Sequence, residues 1–113
     1  MSTFSLATPI FRIFDEDKAK EFYVGWLGLT VDWEHRFEEN LPLYMQVSRG
    51  DFVLHLSEHH SDASPGARAR VRVGDLDEFH KEITAKRYGY GRTGLETMEW
   101  GERCVTVIDP FSN

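Results

Sequence analysis

The spacing of apolar residues changes several times along the chain, and each change marks an element. Between Pro9 and Phe14, Ile10, Phe11, Ile13 and Phe14 surround Arg12, which predicts a short strand. From Asp15 the period lengthens. Ala19, Phe22, Tyr23, Trp26 and Leu27 recur at helical spacing and share a face. Asp15 suits an N-cap, Glu16 and Asp17 occupy the first turn where carboxylates are favoured, and Gly28 suits a C-terminal stop. A helix over 15–27 follows, with its aromatics read as core. The period then drops to two. In Thr30–Phe37, Val31, Trp33, His35 and Phe37 fall on one side, with Asp32, Glu34 and Arg36 on the other. In Leu41–Ser48, Leu43, Met45 and Val47 oppose Tyr44 and Gln46. In Phe52–Leu56, Phe52, Leu54 and Leu56 oppose Val53 and His55. Glu38-Glu39-Asn40 and Arg49-Gly50-Asp51 are short turns, so the three strands predict an antiparallel meander.

Ser57–Gly66 is polar, rich in turn formers and the best linker candidate. Ala67–Val73 alternates strictly, with Ala67, Ala69, Val71 and Val73 against Arg68, Arg70 and Arg72, which predicts a strand with a basic face. Asp75 or Asp77 can cap a helix in which Leu76, Phe79, His80, Ile83 and Tyr88 share a side, ended by Gly89. Tyr90–Thr97 reads as a glycine-rich loop or weak strand. Val105–Ile108 is β-branched and predicts a strand, stopped by Asp109-Pro110 because proline lacks an N–H. The order strand, Asp-capped helix, glycine, strands thus occurs twice. The expected architecture is α+β: one domain of two βαβββ modules, about 8–58 and 67–113. The second leaves no run for a closing strand within the sequence.

Composition narrows the function classes. Thirteen basic against nineteen acidic residues give a net charge of −6, which disfavours nucleic acid and anionic membranes as partners. The single cysteine, Cys104, excludes an internal disulfide and reads as a semi-buried small residue rather than a nucleophile. No apolar run reaches membrane-spanning length, and the N-terminus lacks the basic start and cleavage site of a signal peptide. A cytoplasmic protein is expected.

Several short motifs, taken together and in this order, resemble the vicinal-oxygen-chelate superfamily, which includes glyoxalases, extradiol dioxygenases and bleomycin-resistance proteins. They are Asp15 with Phe22-Tyr23 and Leu27-Gly28-Leu29; Val73-Gly74-Asp75-Leu76-Asp77; and Asp109-Pro110-Phe111-Ser112-Asn113. Ser112 stands where that family usually has glycine. Within the superfamily, Trp33-Glu34-His35-Arg36-Phe37, Leu41-Pro42-Leu43-Tyr44 and Trp100-Gly101 look most like the bleomycin-resistance branch. The resemblance covers almost the whole chain. It implies paired βαβββ modules forming a half-open barrel, and a homodimer whose ligand crevices are lined by both subunits.

The resemblance also allows the chemistry to be weighed. The family's metal-ligand positions fall near Thr8, at His55 and near Arg68, and the last falls past Asn113. One plausible ligand is too few, because a divalent ion needs three or more converging groups and an arginine repels it. No metal and no cofactor are therefore expected. His55-Leu56-Ser57-Glu58-His59 matches H-x-x-E-H, but that pattern works only on a helix and here begins in a strand. No nucleophilic triad or phosphate-binding glycine loop is present. The sequence points away from catalysis, and no catalytic residue is assigned.

What remains is an aromatic, acidic crevice. The candidate ligand-binding residues are Trp33, Phe37, Tyr44, His55, Trp100 and Glu34, with Asp32, Glu38 and Glu39 nearby. In the resembling proteins a tryptophan matching Trp100 stacks on flat heteroaromatic rings. A cation over such a face adds about 0.5–2 kcal/mol. On alternation alone Trp33 and Phe37 face the sheet interior, which is either core or crevice. The expected function is a small-molecule binder of the bleomycin-resistance type that sequesters a planar cationic antibiotic such as a bleomycin-type glycopeptide. The alternatives are a metal-dependent lyase or oxidoreductase of the glyoxalase or dioxygenase kind, and a binder of an unrelated metabolite.

Overall fold

The computed structural model describes residues 1–89 and 94–113. Strand β1 (Ile10–Arg12) leads into helix α1 (Glu16–Lys20), capped by Asp15, whose side chain accepts from the Lys18 amide. The helix widens without a break into a π-helical stretch, Glu21–Trp26. Strands β2 (Thr30–His35), β3 (Tyr44–Arg49) and β4 (Phe52–Ser57) follow. They form one sheet in the order β1-β4-β3-β2, with β1 parallel to β4 and the other pairs antiparallel. Helix α2 (Leu76–Ala85) and the hairpin β5 (Leu95–Thr97) and β6 (Arg103–Val105) complete the described elements.

The sheet has one apolar face and one polar face. Met45, Val47, Leu54 and Leu56 are fully buried and join Ala19, Phe22, Tyr23 and Trp26 of the helical stretch in a single core. Phe22 meets the Tyr23 and Trp26 rings with centroids 4.8 and 5.2 Å away. The alternation of β3 and β4 therefore assigns their faces as the sequence pattern does. Ile83 carries α2 into the same core, and the Trp26 indole donates to its carbonyl at 2.9 Å.

The pattern fails in β2. Val31 pairs with Val47, but Trp33 pairs with Gln46, so a bulge at Asp32 shifts the register. Val31 packs on the core, whereas Trp33 stands on the opposite face and Glu34 returns to the core side opposite Met45. The expected common side for Val31 and Trp33 is thus corrected by one extra residue.

Three further expectations change. Residues 67–73 form no strand: Val71 and Val73 are exposed, and alternation alone does not supply the neighbouring edge a ladder needs. Helix α2 stops at Ala85, not at Gly89, because Lys86 turns to extended geometry and sends its ammonium to the Trp26 carbonyl at 3.0 Å. The last strand is Arg103–Val105 rather than 105–108. It is set by the hairpin from β5, whose turn closes with Met98 and Gly101 amides donating to Glu102 and Met98 carbonyls. Tyr90–Thr93 of the expected loop lie outside the described residues.

The terminal Asp-Pro-Phe-Ser-Asn segment is a lock. One carboxylate oxygen of buried Asp109 accepts from the Phe111 and Asn113 amides, and the other from the Tyr23 hydroxyl and the Asn113 side chain. Asn113 also donates to the Arg12 carbonyl at 2.8 Å. Ser112 carries the strain expected where glycine is usual, with φ at 76°.

Candidate aromatic site on the open sheet face

The polar face of the sheet is built by the strand register. Ile10, His55, Gln46 and Trp33 stand opposite one another across all four strands, and Tyr44 lies one row along. The bulge at Asp32 is what places Trp33 in this row. Its ring lies nearly parallel to that of Tyr44, 12° apart with centroids at 5.9 Å. The His55 ring stands edge-on to both, 5.4 Å from Trp33 and 5.2 Å from Tyr44. Trp33 remains 43% exposed, so part of it is open to a ligand.

Hydrogen bonds fix the polar edge of this cluster. Tyr44 Oη lies 2.6 Å from His55 Nδ1, and His55 Nε2 lies 3.0 Å from Gln46 Oε1. The Gln46 amide donates to Asp32 at 3.1 Å. Burial holds the His55 imidazole below its usual pKa. Burial, with the Asp62 charge adding to it, holds the Tyr44 phenol above its usual pKa. Below them, fully buried Ser57 donates to Asp62 at 2.6 Å.

The other candidates lie elsewhere. Phe37 is largely exposed just beyond β2 and meets the His35 ring edge-on at 5.0 Å. Glu34, on the helix side, is 2.7 Å from the Lys20 ammonium. Trp100 sits in the β5–β6 turn, exposed, with the Arg70 guanidinium 5.6 Å from its ring. Within one chain Trp100 has Arg70, and not Trp33 or Tyr44, as its ring partner. A wide groove runs between the first sheet and the 66–79 and 102–108 segments, along Phe11, Phe52, Val71 and Val105, and none of the six candidates lines it.

A metal does not fit this donor set. Both ring nitrogens of His55 are engaged by Tyr44 and Gln46, and Arg68 is exposed. Among the described residues no three His, Cys, Asp or Glu side chains converge. Gln46 is missing from the candidates, although alternation puts it on the Tyr44 side of its strand. Counting back along the hairpin from the Arg49–Phe52 pair puts it opposite His55.

The family model for glyoxalase superfamily proteins matches residues 2–113. The chain belongs to the glyoxalase superfamily. Solved structures share its fold. A bleomycin-binding protein from bleomycin-producing Streptomyces verticillus, complexed with copper(II)-bleomycin, is 28% identical, with 100% of this chain and 93% of that chain covered at a TM-score of 0.71. A glyoxalase/bleomycin resistance protein/dioxygenase superfamily member from Sphaerobacter thermophilus is 21% identical over 98% and 93% of the two chains, with a TM-score of 0.68. An antibiotic-binding protein from Streptomyces sp. CB03234 is 20% identical over 100% and 93%, with a TM-score of 0.65. No curated protein matches the chain. These likenesses establish the glyoxalase/bleomycin-resistance fold, and no described helix is long and apolar enough to cross a membrane.

Proposed function

We propose that this glyoxalase-superfamily chain is a cytoplasmic binding protein of the bleomycin-resistance type. It sequesters a planar cationic antibiotic without metal catalysis. One observation carries the reading: the bulge in β2 turns Trp33 onto the open sheet face, where it stacks on Tyr44 beside His55 and stays partly exposed. A tryptophan used only as core filler would be buried on the side of the strand that Val31 turns to the core. The net charge of −6 favours a cation over the ring. Similarity to a protein described as bleomycin-binding points to the same ligand class.

The site is completed in a homodimer. Phe4, Leu6, Val71, Val73 and Ile108 are all exposed in the single chain. A second subunit would cover such surface and bring an aromatic residue such as Trp100 or Phe37 across the Trp33 crevice.

The test is a titration with metal-free bleomycin, followed by tryptophan fluorescence. The reading expects a saturable quench at micromolar ligand that Trp33→Ala weakens at least about tenfold. No saturable change in the unaltered protein would sink the bleomycin version. A response instead to an unrelated small molecule in a thermal-shift screen would favour a metabolite binder on the same fold.

A further inference from the structure

Taking the Trp33–Tyr44 face as the ligand site, the geometry points to the hydrogen-bonding character of the ligand. We infer that a chain from Asp32 through Gln46 and His55 commits the Tyr44 proton, so that Tyr44 faces the crevice as an acceptor and selects planar ligands with N–H or O–H donors at their edge.

The direction of the chain follows from what each group can do. The Asp32 carboxylate only accepts, and the Ser48 hydroxyl, first among its hydrogen-bond partners, helps hold its pKa below the usual value. The Gln46 group facing it must therefore be the NH₂, at 3.1 Å. This leaves the amide oxygen towards His55 Nε2, at 3.0 Å. An amide oxygen cannot donate, so Nε2 carries the imidazole proton. The lone pair of the neutral ring is then on Nδ1, and Tyr44 must donate to it across 2.6 Å. The phenolic proton is thereby used inside the protein. What the Tyr44 oxygen still offers the crevice is lone pairs.

A flat ligand lying on the open sheet face beside Trp33, with its edge at Tyr44, meets an acceptor. An amidine, an aminoheterocycle or an ammonium group satisfies it. A carbonyl or carboxylate edge sets lone pair against lone pair and leaves the Tyr44 oxygen unpaired. Gln46 and Asp32 are positioning residues here. They decide which side of His55 holds the proton.

Two measurements test this without bleomycin, so failure to bind that antibiotic and failure of the chain are separate results. The first is long-range proton–nitrogen NMR of ¹⁵N-labelled protein at a pH where His55 is neutral, with the signal assigned through His55→Asn. The expected form has the proton on Nε2. Gln46→Leu should turn this into a mixture of tautomers, whereas Gln46→Glu, which keeps an acceptor towards His55, should retain it. A proton on Nδ1 in the unaltered protein, or an unchanged tautomer in Gln46→Leu, overturns the inference. The second compares benzamidine with phenyltrimethylammonium, two aromatic cations of which only the first donates hydrogen bonds, by their shift of the Trp33 indole resonance. Benzamidine should bind about three- to tenfold more tightly, and Gln46→Leu should narrow that preference. Equal binding, the reverse preference or no response to either probe overturns it.

Discussion

Tyr23 and Tyr44 show how one side-chain type takes two tasks. Tyr23 is buried in the core and donates a hydrogen bond to Asp109. Tyr23→Phe removes one of four donors to a buried carboxylate, and a loss of about 1–3 kcal/mol is expected in urea unfolding. The same contact predicts a pH effect. Burial, then the Asp109 hydrogen bond, raises the Tyr23 pKa above the ordinary value of 10.0. Above pH 10 the unfolded chain releases this proton while the folded chain keeps it. The native state therefore loses stability as pH rises past that point, and the alkaline slope should be shallower in Tyr23→Phe. His55 has the opposite sign. Burial lowers its pKa below 6.5, so its neutral form contributes stability above that value and the contribution is lost as pH falls through the folded-state pKa. Trp33 belongs with Tyr44 rather than Tyr23. Because it is 43% exposed, Trp33→Ala should change folding stability by less than about 1.5 kcal/mol, well short of a core deletion, while weakening ligand binding.

Gly28 is the clearest case at the level of elements. It ends the π-helical stretch at φ +76°, and a Cβ there would meet the Arg49 guanidinium at 2.9 Å. That guanidinium is held by two hydrogen bonds to Glu82 and one to the Leu27 carbonyl. Gly28→Ala should cost about 1–2 kcal/mol of backbone strain and loosen the joint between the first helix and α2, measurable by thermal unfolding. The sequence shows this stop, because glycine at the end of an apolar helical pattern has few other readings. It also shows the faces of β3 and β4, since the Arg49-Gly50-Asp51 turn ties their registers together. It hides the bulge at Asp32, because an extra residue exists only relative to the partner strand. Trp33 and Glu34 therefore exchange the sides that alternation assigns them. The same reason explains 67–73: the alternating pattern is present, but a strand is a relation between two edges. Of the aromatic site, the residue types were legible and their grouping was not. Alternation puts Gln46 on the Tyr44 side, and the hairpin register sets it opposite His55.

For the whole molecule, the exposed apolar residues of the single chain set an expectation about assembly. Light scattering should give twice the chain mass of 13.1 kDa at micromolar concentration, and a mass of one chain would remove the shared-crevice arrangement. The terminal lock bears on how the chain reaches its fold. Tyr23 finds Asp109 eighty-six positions later, and Arg12 finds Asn113 one hundred and one positions later. Contacts this distant in sequence raise the contact order, which slows folding. During synthesis the first helix emerges well before its latch. Until residues 109–113 have been made, Phe22 and Trp26 belong to a half-built core with open apolar edges, the kind of intermediate that chaperones shield from aggregation.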